Sequence, residues 1–138
     1  MFAFNGKEFR FEVEDYDDLT RFHKALEALG SEETELMKSR NKGGFSPEFI
    51  RDYCRMVFRF FDAVLGEETA DAMFDGKMNM GTCEEAYVAF VEFVSLSAQE
   101  AAQARMKRRE RLHQYLPGRR PLADGSINGA SINGADAG

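Results

Sequence analysis

The apolar positions change period along this chain, and each change marks an element. Residues 1–13 alternate: Phe2 and Phe4 precede Asn5-Gly6, and Phe9, Phe11 and Val13 follow it. A period of two is the pattern of a half-buried strand. Asn-Gly between two such runs predicts a β-hairpin, because both central positions of a type I′ turn need positive φ. A two-residue loop pairs Phe4 with Lys7 and Phe2 with Phe9, and places the Phe side chains on one face. An isolated hairpin is marginal in water. This one must pack on helices, or its edge must pair with something else.

Helical spacing takes over at Leu19, Phe22, Leu26 and Leu29, and Gly30 is expected to stop that helix. The acids of Glu14-Asp15-Tyr16-Asp17-Asp18 sit where the helix dipole favours negative charge. They lack the alternating ligands, central Gly and closing Glu of a calcium loop, so a helix start is the better reading. Ser31 to Lys42 is polar and suits a short exposed helix, and Asn41-Lys42-Gly43-Gly44 a flexible break. Ser46-Pro47-Glu48 is a helix start: Ser as N-cap, Pro at the first helical position, an acid behind. The run from Phe49 to Leu65 carries a wide apolar face and is expected to be the central core helix. Arg51, Arg55 and Arg59 line its other face as a solvated stripe.

Gly66 closes that helix. Glu67 to Phe74 forms a short one with Ala70, Met73 and Phe74 inward, ended by Asp75-Gly76. Thr82-Cys83-Glu84-Glu85 has the form of a capping box. Behind it Ala86, Tyr87, Phe90, Val91, Phe93 and Val94 mark a buried side. Nothing breaks this helix before about His113, but its last third lacks large apolar residues. That part is expected to project or to rest against a partner. Pro117, Pro121 and the glycines beyond end regular structure. SINGA then occurs twice, at 126–130 and 131–135, which suits a disordered tail. The expected fold is therefore α+β, mainly α: an N-terminal hairpin packed on about four to five helices. Residues 1–112 form one domain with a projecting basic helix end, and 113–138 a flexible tail.

Composition adds that the core is phenylalanine. The 138 residues include 13 Phe and no Trp. Phe buries a large area without needing a polar partner. Charge adds an asymmetry. Through Ala104 there are 21 Asp+Glu against 11 Lys+Arg, whereas Arg105 to Arg120 holds seven basic residues and one acid. The basic run reads first as a solvated helix end, where the dipole favours cations, and next as a surface that docks to an acidic protein or to another copy of this chain. The acidic body opposes nucleic-acid binding, which needs a positive surface. MFAFNGKEFR has no basic stretch followed by an apolar run, and no segment approaches the roughly 20 apolar residues of a membrane span. Two cysteines without CxxC spacing read as reduced thiols. The expected compartment is the cytoplasm.

The search for chemistry yields little. His23 falls on the Phe22 side of its helix and reads as a partly buried or edge histidine, with no nucleophile and orienting carboxylate to make it a base. His113 has less support still. Cys54 lies in an apolar run, where cysteine acts as a small hydrophobe. Cys83 sits in a first helical turn, where the dipole lowers a thiol pKa, but Glu84 and Glu85 oppose that. Asp62, Glu67, Glu68, Asp71 and Asp75 read as surface acids. Gly76, Gly81 and Lys77 do not make a phosphate loop. No catalytic, metal-binding or cofactor-binding residue is expected. The candidate partner-binding residues are Phe2, Phe4, Phe9 and Phe11 of the hairpin and Arg105, Lys107, Arg108, Arg109 and Arg111 of the basic run.

Several segments together resemble a family of small uncharacterised proteins from the tail-morphogenesis region of phages and prophages of Gram-positive hosts. They are FxFNGxxFxF (Phe2 to Phe11), the acidic entry at Asp15 to Leu19, FDAVLGEETADAMFDGKMNM (Phe61 to Met80) and CEEAYVAFVEFV (Cys83 to Val94). That family similarly pairs an LFGEGT…LFGG segment with a CLEAFxxFV helix. Val64, Leu65 and Glu68 stand here where Leu, Phe and Gly are usual. The resemblance covers about residues 1–94. It implies a non-enzymatic tail assembly chaperone, or a related tail-module protein, that coats the tape measure protein in the host cytoplasm. The alternative is a small nucleic-acid-associated regulator acting through residues 105–120.

Overall fold

A computed structural model of the chain describes residues 1–39 and 46–116. In order, these form β1 (Phe2–Phe4), β2 (Lys7–Phe9), α1 (Tyr16–Ser39), α2 (Pro47–Leu65), α3 (Thr69–Phe74) and α4 (Met80–His113). The fold is α+β and mainly α. The expected break at 41–44 and the tail with its SINGA repeat lie outside the described residues.

The hairpin has the expected register, with Phe2 opposite Phe9 and Phe4 opposite Lys7. Asn5 (φ 57°) and Gly6 (φ 77°) both take the left-handed conformation that a type I′ turn requires. The hairpin docks on helices, the first of the two expected outcomes. Asn5 Nδ2 donates to the Met73 carbonyl at 3.2 Å. Lys7 Nζ donates to the Ala72 carbonyl and to Asp75 at 2.9 Å.

Helix α1 runs straight through Gly30, contrary to the stop expected there. Gly30 has no positive φ. A mid-helix glycine costs only about 1 kcal/mol, and the good helix formers that follow outweigh it. The polar stretch after Gly30 is thus the second half of α1, and Thr34 bonds back to the Gly30 carbonyl at 3.0 Å. A Cβ at Gly30 would meet nothing within 4 Å. Gly30→Ala should therefore stabilise the protein by about 0.5–1 kcal/mol, read from the urea midpoint.

Ser46 caps α2 as expected, its hydroxyl accepting from Phe49 N at 3.1 Å. Helix α3 begins at Thr69, later than expected, because Glu68 holds a left-handed φ of 70°. Asp75, itself at φ 54°, takes the left-handed step at its end before Gly76 does. Helix α4 begins before the expected capping box. Asn79 is the cap: its side chain accepts from Thr82 N at 2.9 Å and its carbonyl from Cys83 N at 3.0 Å. Asn is at least as good an N-cap as Thr, and it comes first.

The chain divides into two compact units, Met1–Ala98 and Gln99–Gly138. The first holds the core. Phe61, Phe90, Met73, Val57, Val64, Cys54 and Cys83 are its most deeply buried side chains. Phe90 lies among the rings of Phe2 (5.0 Å between centroids), Phe11 (5.3 Å), Phe61 (5.7 Å) and Phe22 (5.8 Å), with the ring planes steeply inclined. Such edge-to-face pairs add about 0.5–1.5 kcal/mol each to the burial itself. The described part of the second unit, 99–116, is helical to His113, as the lack of breakers predicts, and ends in a turn where Tyr115 N bonds the Leu112 carbonyl. Its side chains are exposed except for Ala101, His113 and Leu116, which are half-buried.

Candidate functional site

The candidate residues fall in two different settings. Phe2 and Phe11 are core residues, and Phe4 and Phe9 are half-buried against that core. In this conformation the hairpin rings serve the protein's own packing. Arg105, Lys107, Arg108, Arg109 and Arg111 are exposed along α4. Sequence reasoning took the four Phe for a docking surface because strand alternation shows that they share a face. It does not show what that face meets.

Helix α4 carries a surface that the sequence reading passed over. Glu84, Glu85, Val88 and Glu92 are exposed and, with Gly81 and Ala89, line a shallow depression of 440 Å³. Val88 is 51% exposed, Leu96 57%, Met106 66% and Leu112 56%. The signal was present in the spacing. Glu85, Val88, Glu92 and Ser95 are separated by three, four and three residues, a second helical face distinct from the buried one.

Asp18 is the other residue whose setting the sequence did not disclose. It is an acid in a helical first turn, and its side chain is 4% exposed. One oxygen accepts from Glu12 N at 2.9 Å and from Arg10 at 3.1 Å, and the other pairs with Arg21. Asp15 caps the same turn, accepting from Asp18 N at 3.0 Å. The expected helix start is thus a built junction that ties the hairpin exit to α1. Among the described residues, no group of three His, Cys, Asp or Glu could hold a metal ion.

His23 is exposed at the rim of the Phe22 ring, 5.7 Å between centroids, and not partly buried. It lines a shallow groove with Tyr16, Leu19, Thr20, Lys24 and Glu27. A further groove of 410 Å³ runs between α1 and α2, with the Arg59–Glu32 ion pair (2.8 Å) on its wall. Arg59, expected in a solvated stripe, is thus paired across two helices, and Arg51 lies 3.0 Å from Asp52.

Cys54 and Cys83 are both fully buried free thiols. Burial pushes both thiols up, that of Cys83 the more strongly. Desolvation therefore overrides the helix-dipole effect that made Cys83 a candidate. Burial also pushes Tyr53 up, to about 12. All these groups ionise more readily in the unfolded chain. Their contribution is intact below the ordinary cysteine value of 9.0 and is lost as pH rises toward 12. Stability to urea should accordingly be level up to about pH 8.5 and fall from pH 9 to 12. At pH 8 a thiol-alkylating reagent should label neither cysteine until the protein unfolds.

No helix of the described residues is long and apolar enough to cross a membrane. No curated protein and no solved structure matches the chain. One family model does, over residues 5–123, from the hairpin turn past the basic end of α4. That span takes in most of the chain, which therefore belongs to a family of unknown function, DUF6673.

Proposed function

We propose that this is a non-enzymatic, protein-binding morphogenesis factor of a phage or prophage, a tail assembly chaperone acting on the tape measure protein. One observation supports a protein-binding role above the others. Helix α4 keeps its helical form from Ser95 to His113 although none of those residues is buried. In proteins most helical stability comes from packing of an apolar face, whereas this stretch displays Leu96, Met106 and Leu112 to solvent. A long amphipathic helical client offers the apolar surface that such a helix lacks. The acidic body would keep the complex in solution. The phage setting rests on the resemblance of Phe2–Phe11 and Phe61–Val94 to tail-module proteins.

Co-expression with a tagged tape-measure fragment tests the proposal. The full chain should co-purify with the fragment, and a chain truncated after Ala104 should lose most of that binding. A full chain that ignores the fragment overturns the proposal. Retention on DNA or RNA that falls steeply with salt and needs residues 105–120 would favour the nucleic-acid reading instead.

A further inference from the structure

The hairpin packs on the helices by one face, and that leaves the edge of β1 unused. Phe4 and Lys7 flank the two-residue turn, and residues so placed exchange both backbone hydrogen bonds. Bonded and non-bonded pairs alternate along an antiparallel ladder. Ala3, opposite Glu8, is therefore in a non-bonded pair, and its N–H and C=O point away from β2. Met1 and Ala3 are exposed. Among the described residues, none outside the ladder bonds to the Ala3 backbone. Such an edge is a template for a further strand. We infer that two copies of this chain join through it, β1 against β1 in antiparallel orientation, to make one four-stranded sheet.

Occupant and register follow from the edge itself. In a pair centred on Ala3, each Ala3 donates its N–H to the other's carbonyl, and the two-fold axis passes between them, as an isologous interface demands. In a parallel pair the bonds of Ala3 would go to two different residues, and the two-fold relation would be lost. The antiparallel register sets Phe2 opposite Phe4 of the second copy, twice, and Met1 opposite Asn5. All four Phe stay on one face of the joined sheet, where opposed aromatic pairs stabilise the pairing. Met1 to Asn5 carry no charged side chain, so no like charges meet in the seam. The other edge differs. β2 holds Lys7 and Glu8, with Arg10 just beyond it, and charges on an edge strand guard it against pairing. A two-fold on that edge would centre on Glu8 and set it directly against Glu8 of the second copy, which destabilises a sheet. The occupant is thus a second copy's β1, which matches the edge in bonds, in register and in lack of charge. An extended segment of another protein would match it in bonds alone.

Sedimentation equilibrium on the purified full chain, with no client present, tests the pairing. An edge of three residues makes a weak dimer, so the mass should rise from one chain toward two as concentration rises. Ala3→Pro removes both N–H donors of the seam and spares the hairpin's own ladder, which uses Phe2 and Phe4. It should weaken the dimer about tenfold, the effect of two lost hydrogen bonds. Glu8→Pro makes the same change on the other edge and should dimerise like wild type. Circular dichroism checks that both proline variants stay folded. Ala3→Lys and Ala3→Glu keep the backbone donor and test the axis independently. Each alone sets like charges against each other and should weaken the dimer several-fold, whereas an equimolar mixture of the two should regain it as a heterodimer. A wild-type mass of one chain at every concentration overturns the inference. So does a folded Ala3→Pro variant that dimerises like wild type, or a mixture of the two charged variants that stays as weak as its components. The client proposal is unaffected by any of these outcomes, since its own test is co-purification with a tape-measure fragment.

Discussion

Phe90→Ala should lower the free energy of unfolding by about 3–5 kcal/mol, the largest effect expected of any single substitution here. Domains of this size are held by only about 5–15 kcal/mol, so the variant will be marginal at 37 °C. The reason is position. Phe90 has no exposed surface, and its ring touches Phe2 of the hairpin, Phe11 just beyond it, and the helices α1 and α2 through Phe22 and Phe61. Removing it opens a cavity that no single element can close by shifting. Urea denaturation followed by circular dichroism measures the loss. Leu96→Ala, on the same helix but 57% exposed, is the control and should cost less than about 0.5 kcal/mol. Similar costs for the two variants would mean that the core is not organised around Phe90.

Asp18→Ala should cost about 2–3 kcal/mol, more than any other exchange of a charged residue. Its carboxylate is nearly closed off from solvent and accepts from the Glu12 amide and from two arginines. Hydrogen bonds to a charged group are worth about 1.5–3 kcal/mol. Arg10 and Arg21 are themselves 60% and 47% exposed. They can turn to water when Asp18 is lost, which keeps the cost below that of stranding a buried cation. The same exposure makes Arg10→Ala or Arg21→Ala cost less than about 1 kcal/mol. Asp18→Asn, which keeps one acceptor, should fall between. Thermal unfolding ranks the four variants, and an Asp18→Ala variant as stable as Arg10→Ala would show that the junction is not centred on the carboxylate.

What could be read in the sequence was local. Asn5-Gly6 and Ser46-Pro47 act within a few residues of themselves, and the hairpin register and the start of α2 follow from them directly. Gly30 misled because its small helical penalty is set against nine further residues of helix. Thr82 misled because Asn79, a competing cap, stood three residues earlier. The setting of Asp18 was not legible: its partners Arg10 and Arg21 flank it in sequence, but only the fold turns all three toward one point. The candidate site divided in the same way. The exposure of the basic residues followed from composition. The burial of Phe2 and Phe11 required knowing that Phe90 comes to meet them.

The 5.0 Å contact between Phe2 and Phe90 has a consequence for synthesis. Among the described elements the hairpin is made before the helices, and α4, made after α1, α2 and α3, closes over Phe2. Helices α1 and α2 can pair as soon as residue 65 emerges, but Phe2 and Phe11 wait for Phe90. During that interval Phe61 and Phe22 can cover only one side of Phe2 and Phe11, and the side that Phe90 closes stays open. Phe2 and Phe11 are thus most exposed to holdases and to aggregation while the protein is still being translated, and a pause before residue 90 would prolong that risk more than a pause after it.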